Sequence, residues 1–158
     1  VSFADLDNDG DQDVHTVMGG AFEGDIYFNS LYKNPYDNEN NWLKLKLEGV
    51  EANKAGIGSK IKLILEENGV ERTIYREVNS GGSFGCNPLR IEIGLGKANI
   101  IKKLEIIWAG SGTIQNFNDI DPNNLFLIKE KINQLEKIDL KQINLGMNNT
   151  NNHFHHQQ

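Results

Sequence analysis

The chain reads as an all-β protein, on three observations. Short runs of alternating apolar and polar residues recur, as in Leu43-Lys44-Leu45-Lys46-Leu47. Turn signals separate them, as at Glu67-Asn68-Gly69 and Ala109-Gly110-Ser111-Gly112. An apolar stripe at helical spacing is confined to a short C-terminal stretch. A period of two sends alternate side chains to opposite faces of a strand, so each run offers one face to a core.

Taken in order, Val1-Ser2-Phe3 and Val14 to Val17 are strand-like and flank an Asp-rich loop. A Gly/aromatic stretch follows at residues 19–28, and Asn29 to Asn34 fits a further short strand. Residues 35–41, Pro-Tyr-Asp-Asn-Glu-Asn-Asn, are polar and turn-rich and read as a linker. Residues 42–130 hold the clearest alternation: Leu43/Leu45/Leu47, Ile61/Leu63/Leu65, Ile91/Ile93/Leu95 and Leu104/Ile106/Trp108. Asn68-Gly69 predicts a hairpin from the second of these to Glu71–Val78. Gly94-Leu95-Gly96 lacks the third glycine and the helix of a dinucleotide fingerprint and reads as a turn. Roughly six or more strands at this spacing predict a β-sandwich or a small barrel. From Lys129 to about Leu140, the spacing of Ile132, Leu135 and Ile138 predicts a short helix with one apolar stripe. Residues 131–158 thus read as that helix and a low-complexity tail, disordered from about Asn148.

Residues 5–13, Asp-Leu-Asp-Asn-Asp-Gly-Asp-Gln-Asp, carry the densest chemistry. Asp5, Asp7, Asp9 and Asp13 fall at positions 1, 3, 5 and 9 of a calcium loop. Gly10 takes the sharp turn at position 6, and the backbone carbonyl of Asp11 falls at position 7. Ca²⁺ takes about six to eight oxygens at about 2.3–2.6 Å, and alternate carboxylates on a tight loop supply most of them. The helix–loop–helix form of this site needs a bidentate Glu at position 12, where this chain has Thr16. A calcium loop set in a β-turn is therefore expected, with Asp5, Asp7, Asp9, Asp11 and Asp13 as metal residues. The alternative is a solvated Asp/Asn/Gly turn, in which the regularly spaced carboxylates repel one another with no cation to relieve them.

The pattern Phe3-Ala-Asp-Leu-Asp-Asn-Asp-Gly-Asp-Gln-Asp13 resembles the FG-GAP/VCBS repeat, one blade of a calcium-binding β-propeller. Further motifs follow in order: Asn41 to Gly49, Ala55-Gly-Ile-Gly-Ser-Lys-Ile61, Ser80-Gly-Gly-Ser-Phe84, Pro88 to Gly96 and Leu104 to Gly112. This series resembles the ASPIC/UnbV domain, which in its family sits just after FG-GAP repeats. The resemblance implies the last propeller blade at residues 1–34, with the rest of the propeller N-terminal to it, and a β-domain at 42–130. It also implies an extracellular or cell-surface protein of the cartilage acidic protein-like family, presenting loops to a protein or carbohydrate ligand in interaction or adhesion. The same domain pair resembles UnbV-type proteins associated with enediyne biosynthesis. That alternative, an accessory or enzymatic role in secondary metabolism, would look for a cleft lined by Ser83, Phe84 and Arg90.

Composition narrows the classes. A net charge of -6 argues against nucleic acid as the main partner, because that binding relies on neutralising phosphates. No run approaches the ~18 apolar residues of a membrane span; Ile100 to Trp108 is too short and carries Lys102, Lys103 and Glu105. Val1 already lies in a strand-like run, which reads as an excerpt from a longer polypeptide. Cys86 has no second cysteine for an internal disulfide and reads as a packing residue near a turn. Ser80 to Gly85 reads as a tight loop or bulge rather than a phosphate cradle, since no Lys-Ser/Thr follows it. His15 lies in the alternating run after the Asp loop, whereas His153, His155 and His156 fit adventitious metal binding in the tail. Asn148-Asn149-Thr150 is a glycosylation sequon only where the chain meets that machinery. No Gly-x-Ser-x-Gly elbow occurs, and Ser83 and Ser111 have no base nearby in sequence, so no catalytic constellation is expected.

Overall fold

The computed structural model describes residues 1–20, 22–24, 27–35, 39–81 and 88–145, and every regular element among them is a β-strand. Two units separate by their internal contacts: residues 36–140, and residues 1–35 together with the segment from Lys141 onward. No helix among the described residues is long and apolar enough to cross a membrane. The expected disordered tail from Asn148, Cys86 and the Ser83-Phe84 loop lie outside the described residues.

In the first unit, β1 (Ser2–Ala4), β2 (Asp13–Thr16) and β3 (Ser30–Tyr32) form an antiparallel sheet in the order β1-β2-β3. Phe3 pairs with Val14 and Val14 with Tyr32, so the Asp loop is simply the connection from β1 to β2. So small a sheet buries little of its own apolar surface. Phe3, Phe28 and Tyr32 are all largely exposed.

The second unit is a sandwich of two four-stranded sheets. One has the order β11-β10-β4-β7, from β4 (Asn41–Glu48), β7 (Ile91–Gly96), β10 (Asn124–Lys129) and β11 (Leu135–Ile138). The other has the order β6-β5-β8-β9, from β5 (Lys60–Glu67), β6 (Val70–Glu77), β8 (Ile101–Ile107) and β9 (Ile114–Ile120). The alternating residues meet between the sheets: Leu43, Leu45, Ile61, Leu63, Leu65, Ile93, Leu95, Leu104 and Ile106 are all at most 1% exposed. Each such side chain contributes roughly 1.5–3 kcal/mol by leaving water. Trp108 closes the core and donates its indole N–H to Gln115 Oε1 at 2.6 Å, so a buried polar atom is satisfied.

Local chemistry explains the connections. The β5–β6 hairpin turns on Asn68 (φ 54) and Gly69 (φ 78), the pair of positive φ values that a two-residue turn matched to strand twist requires. In β8, Ile101 and Leu104 have opposite parity yet both are fully buried. A register shift at Ile64/Leu65 pairs Ile101 with Leu65, and the extra residue swings Ile101 back to the core.

The expected C-terminal helix is corrected by β11. Leu135–Ile138 pairs antiparallel with β10, Ile128 opposite Leu135 and Leu125 opposite Ile138. Lys131 takes a positive φ of 69, and Ile132 lies in the turn region, 47% exposed. A helix of about ten residues is marginal in water, whereas β10 offers an open edge whose N–H and C=O groups need partners. Gly94-Leu95-Gly96 is likewise strand rather than turn, with Leu95 buried and Trp42 paired with Gly94. The turn begins only at Gly96, where φ is 62.

Candidate metal centre

The β1–β2 connection is shaped by its own carboxylates. Asp5 Oδ2 accepts from Gly10 N at 2.9 Å, Asp7 Oδ1 from Asp9 N at 3.2 Å, and Asp9 Oδ1 from Asp11 N at 3.2 Å. The Asp7 and Asp9 bonds are Asx turns, in which a short acidic side chain satisfies the backbone two residues on, and the Asp5 bond spans the loop. Gly10 sits at φ 105, a conformation that a Cβ would oppose. Asp13, the first residue of β2, anchors both flanks. Its Oδ2 accepts from Leu6 N at 3.0 Å and its Oδ1 from Asn34 N, just past β3, at 2.9 Å.

These bonds gather Asp5, Asp7 and Asp13. All three are buried, at 5%, 3% and 1% exposure, and each offers a carboxylate oxygen within 4.8 Å of the other two. Asp9 and Asp11 lie further out on the same loop. Asp11 Oδ1 is nonetheless a buried oxygen with no hydrogen-bond partner. Burial pushes the Asp11 carboxyl up to about 6, with the charges of Asp9, Asp13 and Asp7 adding to the rise.

A cation of the chain's own reaches this cluster. The Lys33 ammonium contacts Asp7 Oδ2 and lies 3.2 Å from Asp9 Oδ2. The hydrogen bonds to Asp7 and then Asp9 hold its pKa well above the ordinary lysine value. Burial would raise Asp9, but the Asp11 N–H and the Lys33 ammonium outweigh it and hold Asp9 low. Near the chain's other end, Ile143 N donates to Asp7 O at 2.9 Å, and Asn8 Nδ2 to Lys141 O at 2.9 Å. Residues 142–145 thereby wall a cavity of about 360 Å³ with Asp7, Asp9 and Lys33.

The donor set fits a hard divalent cation. It is all oxygen, its charge is concentrated and partly buried, and an ammonium already stands in as counter-ion. Loop spacing pointed to the carboxylates. Nothing in the spacing pointed to Lys33, twenty positions downstream in an expected strand, or to the return of residues 141–145.

Elsewhere, the structure accounts for several candidate residues. Arg90 donates from Nε and Nη2 to Glu92 Oε1, at 3.0 and 2.5 Å. Lys44, on the face of β4 opposite Leu43 and Leu45, is 1% exposed, with its ammonium 3.9 Å from the same oxygen and 4.9 Å from the Trp42 ring centroid. Ser111 donates to Glu130 Oε1 at 2.5 Å. The other oxygen of Glu130, which is fully buried, accepts from Val50, Glu51 and Ala52 N at 2.7, 2.6 and 2.8 Å. Burial would raise this carboxyl, but the Ser111 hydroxyl and the three N–H groups outweigh it and hold it down to about 2. It is a structural anchor, and too weak a base to activate Ser111. His15 is half-buried in β2, opposite Ser2 and Leu31.

No curated protein matches the chain. The family model described as ASPIC and UnbV matches residues 49–135, which hold the sandwich strands from β5 to β10 and end at the start of β11. That is more than half of the sequence, and the chain belongs to the ASPIC and UnbV family.

Proposed function

We propose that this chain is a non-catalytic calcium-binding module of an extracellular protein, serving protein or carbohydrate interaction. The observation that carries the proposal is the convergence of Asp5, Asp7 and Asp13, three buried carboxylates within 4.8 Å on one short connection. Three like charges at that range in a partly desolvated site repel strongly, and a divalent ion turns the repulsion into attraction. Asp9 and the backbone carbonyl of Asp11 complete the expected ligand set, and calcium supplies charge neutralisation rather than chemistry. Binding then stiffens the β1–β2 connection by favouring the folded loop over the open one.

Extracellular modules typically bind calcium at about 10⁻⁴–10⁻³ M, which suits a loop on the surface of a small sheet. The likeness of residues 3–13 to an FG-GAP/VCBS repeat supports reading residues 1–34 as a propeller blade that precedes the family domain in sequence. Exposed aromatic side chains on that unit, Phe3, Phe22, Tyr27 and Phe28, supply flat apolar surface of the kind that protein and sugar ligands cover.

The test is calorimetric titration of the chain with Ca²⁺ beside the Asp5→Asn/Asp7→Asn double variant. Asn keeps the size and one acceptor oxygen for each loop bond while removing two charges. One saturable site in the native chain and none in the variant is the expected result. Equal heats from both, or none from a natively folded native chain, would refute the proposal.

A further inference from the structure

We propose that Lys33 is a built-in competitor for the calcium site: its ammonium neutralises Asp7 and Asp9 when no ion is bound and is displaced when a divalent ion arrives. This rests on the calcium reading above and concerns how that site is controlled.

Three features of the structure carry it. The ammonium touches Asp7 Oδ2, an oxygen of the buried triad, and lies 3.2 Å from Asp9 Oδ2, so it bridges two expected ligands. Its backbone is held in place on both sides. Tyr32 pairs with Val14 in the sheet, and Asn34 N donates to Asp13 Oδ1 at 2.9 Å. The amine is thus tethered close to the carboxylates, and a tethered competitor acts at high effective concentration. Its exit is also open. The Lys33 side chain is 37% exposed, so it can swing into solvent without disturbing a core residue.

The exchange has a consequence for selectivity. Replacing an ammonium by Ca²⁺ raises the positive charge among the carboxylates by one unit, whereas replacing it by Na⁺ or K⁺ gains nothing. Lys33 therefore lowers the site's affinity for every cation but leaves only divalent ions able to win, and it sets the calcium concentration at which the loop fills. An arriving ion must first break the pairing of the ammonium with the carboxylates, so removing the ammonium raises affinity by about tenfold, the lower end of the scale for a unit-charge pair at this range.

The experiment uses the whole chain with CaCl₂ as titrant. Native protein, Lys33→Met and Lys33→Arg are compared by calorimetry, with circular dichroism to show that each is folded. Lys33→Met, which keeps the alkyl length and loses the charge, is expected to bind about tenfold more tightly. Lys33→Arg is expected to stay within about threefold of native. A second readout needs no variant: labelling of Lys33 by an amine-reactive ester, read by peptide mass, is expected to rise several-fold at saturating calcium and fall again with chelator. Lys33→Met binding no tighter than native, or Lys33 labelling unchanged across the range that saturates the native chain, overturns the competitor role and leaves the calcium site standing. Absence of binding by both folded native protein and Lys33→Met refutes the calcium site itself, and the competitor with it.

Discussion

Glu130 joins three segments far apart in sequence: the end of β10, the 50–52 loop and the turn at Ser111. Replacing it with Ala strands three backbone donors, and thermal unfolding is expected to show a loss of about 3 kcal/mol or more. Its charge also sets an acid response. The folded carboxyl titrates at about 2, below the roughly 4.3 of an unfolded Glu. Between those values the unfolded chain binds more protons, so this contribution is complete above about pH 4–5 and is lost as pH falls through about 2. Urea unfolding of Glu130→Gln from pH 2 to 6 is expected to be flatter than native over that window. None of this was legible in the sequence, because a Glu beside Lys131 at the end of an apolar run looks like any solvated charge. The convergence of Asp5, Asp7 and Asp13 was legible, since alternate acidic residues on one tight connection are brought together by the turn itself. Lys33 was not, because only the folding of β3 against β2 brings it to the loop.

Among elements, β4, β5, β6 and the Asn68-Gly69 hairpin follow from alternation and turn chemistry alone. Others depend on tertiary context. β9 is Asn-rich and points Gln115 and Phe117 inward, so its apolar signal is weak. In β10, the successive residues Leu125 and Phe126 are both buried, as is Ile128, and a strand with side chains buried on both faces does not alternate. β11 shows how three apolar residues at three-residue steps mislead when only some face a core. Leu135 packs against the core and Ile132 does not. Leu135→Ala is therefore expected to cost about 1–2 kcal/mol and Ile132→Ala less than about 0.5 kcal/mol by chemical denaturation. Equal costs would mean that both share one buried stripe.

Across the whole molecule, the two units differ in what stabilises them. The sandwich holds the hydrophobic core, whereas the three-stranded sheet leaves Phe3 and Phe28 exposed and concentrates repelling carboxylates. A fragment of residues 39–140 is expected to melt at the same temperature with and without chelator. Ending it at residue 130 instead removes β11, bares the edge of β10 and is expected to promote aggregation, visible by light scattering. Protection of amides in residues 2–16 is expected to rise with calcium, by exchange mass spectrometry, while that of the sandwich stays constant.

The bonds from Asn8 to Lys141 and from Asp7 to Ile143 reach across 133 positions or more of chain. During synthesis the acidic loop emerges before the sandwich, and the segment that ties it down emerges only after the sandwich has been made. At about 5–20 residues per second the ribosome leaves that loop without its strap for roughly 7–27 seconds. Over that interval the nascent chain carries an acidic hairpin with the Lys33 ammonium and the surrounding ions to calm it, and a segment made later fastens one made earlier.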